Sequence, residues 1–420
     1  MRESAGAEKT YGISRTRTAI HRILLSMFRR LDFLLCGVTV VLTFFGLAMI
    51  ASVSVFGSYQ ITHQMVLRGM REETSNAFYL IRSSYHTFLS LGVMFCILLV
   101  PYRVWERFAM PIFGAALLLL LAVFIPGIGA GYGTAHQWLR IGGFSLQPSE
   151  FLKLAMTIYL AVWLQKREQI VGTFKEGFLP FSTLLVLSTI LVAVQPDFGS
   201  FLVIFSIAVV MFFIAGGNVI HLFLGGMIAA VLGLPIILNR EYIRNRFRAF
   251  LFPNDPSLAE SIGFQVRQAL IAIGSGGLFG VGYGKSIQKF GYLPEVQGDT
   301  IFAAMAEELG FFRLMIVLGM YGIFVWRGYR IALGAPDRFG FLLATGITTW
   351  VAVQTLLNVS VNLGLFPLTG ITLPFISYGG SSTLALLTAV GILLNISMYS
   401  TDAPSEDRRQ RSRFLVCRHS

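Results

Sequence analysis

Charge is scarce in this chain. Only 13% of its 420 residues are Asp, Glu, Lys or Arg, and 55% are hydrophobic. Soluble domains carry about a quarter charged residues, so an ordinary water-solvated domain is excluded and lipid is the expected solvent. Cysteine is nearly absent. Cys36, Cys96 and Cys417 are odd in number, far apart and without CxxC spacing, which supports neither a disulfide framework nor a zinc site. The first two read as small buried hydrophobes. A cleavable leader is not expected either, because the basic start of the chain runs into an apolar stretch of about 20 residues, too long for a signal peptide. Nucleotide loops fail as well. Phe279 stands where a P-loop before Gly284-Lys285-Ser286 needs its first glycine, and Lys285 breaks a GxGxxG reading from Gly280. No repeat of fixed period is visible.

Long apolar runs are what the chain does have. They recur near 33–54, 84–100, 108–127, 149–165, 179–195, 198–215, 218–238, 311–328, 339–360 and 380–398. Each approaches the roughly 20 residues that cross a bilayer. The expectation is an all-α polytopic membrane protein of about ten transmembrane helices. A basic tail at 1–32 precedes a membrane domain at 33–399, and a second basic tail follows at 400–420. The net charge of +12 sits largely in those tails and in short loops. That is how topology is set, not how nucleic acid is bound. With Arg103, Arg107, Lys166, Arg167, Lys175, Arg327, Arg330 and Arg338 inside, both termini are expected in the cytoplasm of a plasma-membrane protein. The stretch 239–310, between spans seven and eight, is then extracytoplasmic, and a loop of that length is usually functional. Within it, 261–273 reads as an amphipathic or re-entrant helix, 274–284 is Gly-rich, and 301–309 resumes a helical pattern into the next span.

Polar residues at membrane depth cost a few kcal/mol unless paired, and four clusters stand out. In the first, spanning Trp138 to Lys153, Pro148 fits the opening position of a helix, with Glu150 in its first turn. Glu150 and Lys153 share a face, as an ion pair or as a cavity wall where Lys153 holds an anion. The second is Gln195-Pro196-Asp197-Phe198-Gly199, where Asp197 can cap the following helix. The third, in the long loop, gathers Arg246, Gln265 and Lys289 with Glu295, Asp299, Glu307 and Glu308. Cations beside carboxylates suit a pyrophosphate substrate, the cations holding phosphate and a carboxylate taking a proton. The fourth runs from Phe366 to Ser382. Its two prolines and three glycines cannot form a regular helix, so it must be buried or line a cavity.

Four strings carry a family resemblance: QPSEFLK, QPDFG, GSGGLFGVGYGKSIQKFGYLPE followed by IFAAMAEELG, and FPLTGITLPFISYGGSS. In this order, over about residues 130–400, they resemble the SEDS family of FtsW, RodA and SpoVE, with the wording Ile371-Thr372-Leu373-Pro374 leaning towards FtsW. The resemblance implies a peptidoglycan glycosyltransferase of ten spans. Such an enzyme polymerises lipid II, releases undecaprenyl pyrophosphate and pairs with a class B penicillin-binding protein transpeptidase. It further implies Asp299 as the catalytic carboxylate. Arg140, Glu150, Lys153, Gln195, Asp197, Arg246, Gln265 and Lys289 fall on substrate-cavity positions. No nucleotide is needed, and a divalent cation, Mg or Mn, fits near the carboxylates. Asp299 precedes a helix whose dipole favours an ionised base. A lipid II flippase is the alternative reading. The chain departs from the family pattern at Gln297-Gly298 and Thr300 around Asp299, at Arg313, and in a longer stretch at 55–83.

Overall fold

The computed structural model describes residues 30–400, apart from 128, 133–134, 142–143, 240 and 253–261. Most of both basic tails therefore lies outside the described residues. The helices are α1 (Phe33–Val53), α2 (Val55–Leu67), α3 (Phe78–Leu98), α4 (Arg103–Ala122), α5 (Pro148–Lys166), α6 (Leu179–Val194), α7 (Phe198–Ile214), α8 (Val219–Asn239), α9 (Glu241–Leu251), α10 (Ile262–Gly276), α11 (Ile301–Leu333), α12 (Arg338–Asn362) and α13 (Gly380–Tyr399). A π-helical turn, Phe174–Phe178, leads into α6.

Seven of these helices, α6 counted with its π turn, are long and apolar enough to cross a membrane. The other three expected runs are also helical, as α5, α7 and α8, but α7 has 17 residues and α5 carries the buried Glu150 and Lys153. The fold is helical as expected, with one small addition. Between α4 and α5 lies an antiparallel meander, β1 (Gly129–Tyr132), β2 (Ala135–Ile141) and β3 (Phe144–Leu146), in the order β1-β2-β3. Short strands bounded by glycines give too weak a pattern to stand out beside membrane spans.

Local chemistry explains the helix starts. Asp32, Asp197 and Asp337 each accept a hydrogen bond from the backbone N–H three residues on, at Leu35, Ser200 and Gly340 (2.9, 3.0 and 2.8 Å). Pro148 opens α5 after Gln147, as expected.

α5, α12 and α13 form the inner helices. Of the most apolar stretches of α12 and α13, 72% and 83% are buried, against 22–44% for the other five spans. α12 packs on α5, α7 and α11, and α13 packs on α3 and α5. Large apolar side chains on the outer helices, among them Phe44, Phe88, Leu118, Ile190 and Ile316, face outward, as lipid-facing side chains do. Cys96 is exposed and Cys36 half-buried, so the expectation that both are buried fails.

Two irregular segments shape the functional end. The Gly-rich stretch serves a kink in α11. Gly310 has φ 74° and interrupts the helix. Val281 and Gly282 N–H donate to the Glu307 and Glu308 carbonyls (both 3.0 Å), while Phe311 and Phe312 N–H donate to the Gly277 and Leu278 carbonyls (2.9 and 3.2 Å). A β-carbon on Gly280 would stand 2.3 Å from the Glu308 carbonyl oxygen, so only glycine permits this approach. Arg313, a departure from the family pattern, braces the same stretch by donating to the Phe279 carbonyl at 3.0 Å.

The second segment, between α12 and α13, is buried as expected of non-helical backbone at depth. Leu368, Ile371, Leu373, Phe375, Ile376 and Ser377 are all buried. Gly46 of α1 and Gly199 of α7 admit it, since a β-carbon at either would lie 2.5 Å from Ile376 Cα or 2.4 Å from Ile371 Cγ1.

Candidate active site

Asp299 sits beside the second of these segments, next to Gly370. It lies two residues before α11, whose N-cap is Thr300, and it is half-buried. Gln265 of α10 donates to both carboxylate oxygens at 3.4 Å. Beyond it lies Arg246 of α9, buried, with Nη1 donating to the Leu368 carbonyl at 2.8 Å and the guanidinium 4.2 Å over the Tyr242 ring. Arg246 Nε is buried without a hydrogen-bond partner among the described residues. Gly370 separates the two groups. A β-carbon there would stand 3.9 Å from Arg246 Nη2 and 4.0 Å from Asp299 Oδ2. Glycine at 370, with φ 73°, thus keeps a gap between cation and carboxylate open.

Burial pushes the Asp299 carboxyl up to about 7, and the neighbouring Glu295 charge adds to the rise, while Arg246 and Gln265 oppose it. This corrects the expectation of a dipole-stabilised carboxylate, because desolvation and a like charge outweigh the helix terminus. Burial also lowers the proton affinity of Arg246, partly offset by Tyr242, Asp299 and Asp197.

The other expected site residues are committed elsewhere. Lys153 is 1% exposed and pairs with Glu150 Oε1 at 2.8 Å. It also donates to Gln354 Oε1 at 3.1 Å and lies 5.5 Å from the Trp350 ring. The ion-pair geometry of the sequence reading is present. Asp197 caps α7 and accepts from Ser149 Oγ (2.8 Å) and Gln147 Nε2 (3.2 Å), tying the starts of α5 and α7 together. Gln195 donates to the Leu120 carbonyl at the end of α4 (2.8 Å). Lys289 pairs with the fully buried Glu308 at 3.1 Å and donates to the Gly284 carbonyl at 2.7 Å. Glu307 accepts from Ser286 Oγ (2.5 Å) and Ile287 N–H (2.9 Å). Arg140 lies on β2 opposite Ser145, with its side chain exposed.

Among the described residues no three of His, Cys, Asp and Glu come together to hold a metal ion. Glu295 is the acidic neighbour of Asp299, and the Asp197 oxygens already serve three donors. Mg is commonly held by one or two carboxylates together with substrate phosphates, and Asp299 and Glu295 are the residues that would hold it here.

Three residues escaped the sequence reading. Gln354, Asn358 and Asn362 form an amide stripe at four-residue spacing along α12. Gln354 Nε2 donates to the Thr372 carbonyl at 3.0 Å, and Asn358 Nδ2 to the Ile371 carbonyl at 2.7 Å. Polar amides repeating along one face of an apolar span were the available signal.

The family model described as "Cell cycle protein" (FtsW/RodA/SpoVE) matches residues 32–402. The chain belongs to the FtsW/RodA/SpoVE family. It is 39% identical over 372 residues to "Stage V sporulation protein E" of Bacillus subtilis, covering 88% of this chain and 97% of that one. It is 38% identical over 367 residues to "Probable peptidoglycan glycosyltransferase FtsW" of Trichlorobacter lovleyi, covering 87% and 93%. Two solved structures, each 26% identical and covering 89% of this chain, share the fold. One is a chain of "Structural coordination of polymerization and crosslinking by a peptidoglycan synthase complex", with TM-score 0.72 and 99% of that chain covered. The other is the Thermus thermophilus rod shape determining protein RodA, with TM-score 0.64 and 98% covered.

Around Asp299 the loop is held both from within and from outside. Thr300 Oγ1 donates to the Pro294 carbonyl at 2.7 Å. Tyr378 N–H donates to the Gln297 carbonyl (2.8 Å) and Ser377 Oγ to that of Gly298 (2.7 Å).

Proposed function

We propose that this FtsW/RodA/SpoVE member is a peptidoglycan glycosyltransferase that polymerises lipid II in the plasma membrane, with both termini cytoplasmic and about ten spans. The observation that carries the reading is the gap between Asp299 and Arg246 across Gly370. It offers a carboxylate near neutrality and a cation with an unused N–H. The acceptor sugar's 4-hydroxyl gives its proton to Asp299 as its oxygen bonds to the donor's anomeric carbon. The bond from that carbon to the pyrophosphate oxygen breaks, and undecaprenyl pyrophosphate leaves with the electron pair. Arg246 stabilises the charge gathering there. A single displacement inverts the anomeric centre, and the lipid-linked donor supplies the driving force.

Arg140, exposed near the mouth of α5, is the second phosphate-holding candidate. Lys153, paired with Glu150, is the further candidate. A flippase, the alternative, needs no base and leaves the Asp299 setting unexplained. The match to a chain of a peptidoglycan synthase complex supports a class B penicillin-binding protein as partner. The test is incubation of purified protein with purified lipid II, alone and with that partner. Glycan polymer and released undecaprenyl pyrophosphate support the reading, and lipid II that crosses vesicles without forming polymer contradicts it.

A further inference from the structure

The main-chain carbonyl of Asp299 is gripped twice. Asn358 Nδ2 and Asn362 Nδ2 both donate to it at 2.9 Å. This carbonyl is outside the helical ladder of α11, whose first bonds run to the Thr300 carbonyl from Ala303 and Ala304. The helix itself therefore does not fix where Asp299 stands. The loop before it turns tightly, with Gly298 N–H donating to the Glu295 carbonyl at 2.8 Å and Glu295 in the left-handed region at φ 49°, and none of these bonds holds the Asp299 carbonyl.

Each amide has its second N–H anchored. Asn358 Nδ2 also donates to the Ile371 carbonyl at 2.7 Å, and Asn362 Nδ2 to the Asn358 carbonyl at 2.9 Å. All these partners are carbonyls, which only accept, so each amide must present its NH2 here. Both asparagines are buried, and their rigid helix is among the most buried in the bundle.

We propose that Asn358 and Asn362 are positioning residues that set the carboxylate of Asp299 by holding its backbone carbonyl from α12. The inference rests on Asp299 being the base. Asn358 does this while holding Ile371, one residue from Gly370, so the same amide fixes both Asp299 and the glycine that opens the gap to Arg246. Loop departures such as Gln297-Gly298 are tolerated because the hold does not use their side chains.

Asn358→Ala, Asn362→Ala and the double variant test this in lipid II polymerisation. Each single variant leaves one amide on the carbonyl, so the fold is retained, and monodispersity with thermal melting in detergent checks it. Displacement by about 1 Å can cost on the order of 100-fold. The expected result is a fall in kcat of about ten- to 100-fold in each single variant, with KM within about threefold of wild type. The acid limb of the pH–rate profile also moves, because Asp299 shifts relative to the groups facing it: Glu295 on its own loop, and Arg246 and Tyr242 on α9. Ser377→Ala, which frees the Gly298 carbonyl, gives a smaller loss of the same kind. Should the double variant not fold, the singles and Ser377→Ala still decide the question. Lowered melting temperature with unchanged kcat and pH profile reduces the asparagines to structural glue and overturns the proposal. If Asp299→Asn itself retains activity, it is the assignment of the base that fails, a different outcome from an intact Asp299 requirement with indifferent asparagines.

Discussion

Asp299, half-buried, differs from the buried carboxylates in what its oxygens touch. Glu150, Glu307, Glu308 and Asp197 each bind a short, committed donor, from Lys153, Ser286, Ser52 and Ser149 respectively. The Asp299 oxygens receive two long contacts from the one amide of Gln265. A base must be unprotonated, and this carboxyl titrates at about 7. Polymerisation should therefore fall about tenfold per pH unit below 7 and level off above it. Glu295→Gln removes a like charge, which eases ionisation, so its acid limb should move to lower pH. A profile flat from about pH 5 to 8 would contradict this.

Lys153 gives a second residue-scale prediction. Lys153→Met strands a buried Glu150 and should cost about 3–5 kcal/mol of stability. Glu150→Gln with Lys153→Met should recover most of that. Melting in detergent reads both, and a double variant no more stable than the single would show that Lys153 has another buried anionic partner.

At the scale of elements, strong periodic signals were legible and weak ones were not. All ten apolar runs are helical, the helix expected at 261–273 forms as α10, and Asp197 caps α7 as its spacing suggested. The meander and α2 went unread. α2 mixes Ser58, Gln60, Thr62, His63 and Gln64 into its thirteen residues, so it carries no membrane signal. The Gly-rich stretch was visible as composition, but its purpose depends on Gly310, which lies on the far side of the Asp299 loop in sequence. Two glycines of α11 separate the reasons a glycine is needed. A β-carbon on Gly310 would lie 2.1 Å from Gly280 N, whereas one on Gly319 meets nothing within 4 Å. Gly310→Ala should destabilise by about 1–3 kcal/mol or more, and Gly319→Ala should be neutral or stabilising by up to about 1 kcal/mol. Equal melting temperatures for the two would contradict the kink's role.

At the scale of the whole molecule, the site was legible as residue types but not as partnerships. The sequence brought nine residues into one cavity, yet Lys153, Gln195, Asp197 and Lys289 turn to structural partners while Asp299, Gln265 and Arg246 converge. Spacing along a chain cannot say which of several cations a buried carboxylate meets. Orientation in the membrane can be read with single cysteines in a background free of native ones. Lys285 and Gln169 are both exposed, whereas Ser286 is buried against Glu307 and unsuited to labelling. An impermeant maleimide should label Lys285→Cys in intact cells and Gln169→Cys only after permeabilisation. The reverse pattern would invert the topology and put Asp299 on the wrong side for an outer-leaflet substrate.

The most direct measurement is lipid II polymerisation by Asp299→Asn, beside lipid II binding by the same protein. The substitution keeps the shape, one of the two Gln265 contacts and the backbone hold, and removes the charge and the ability to take a proton. Loss of a general base typically costs about 10²–10⁴-fold, so polymer formation should collapse by that factor while binding, left to Arg246, changes much less. Polymerisation within about tenfold of wild type would contradict the assignment of Asp299 as the base.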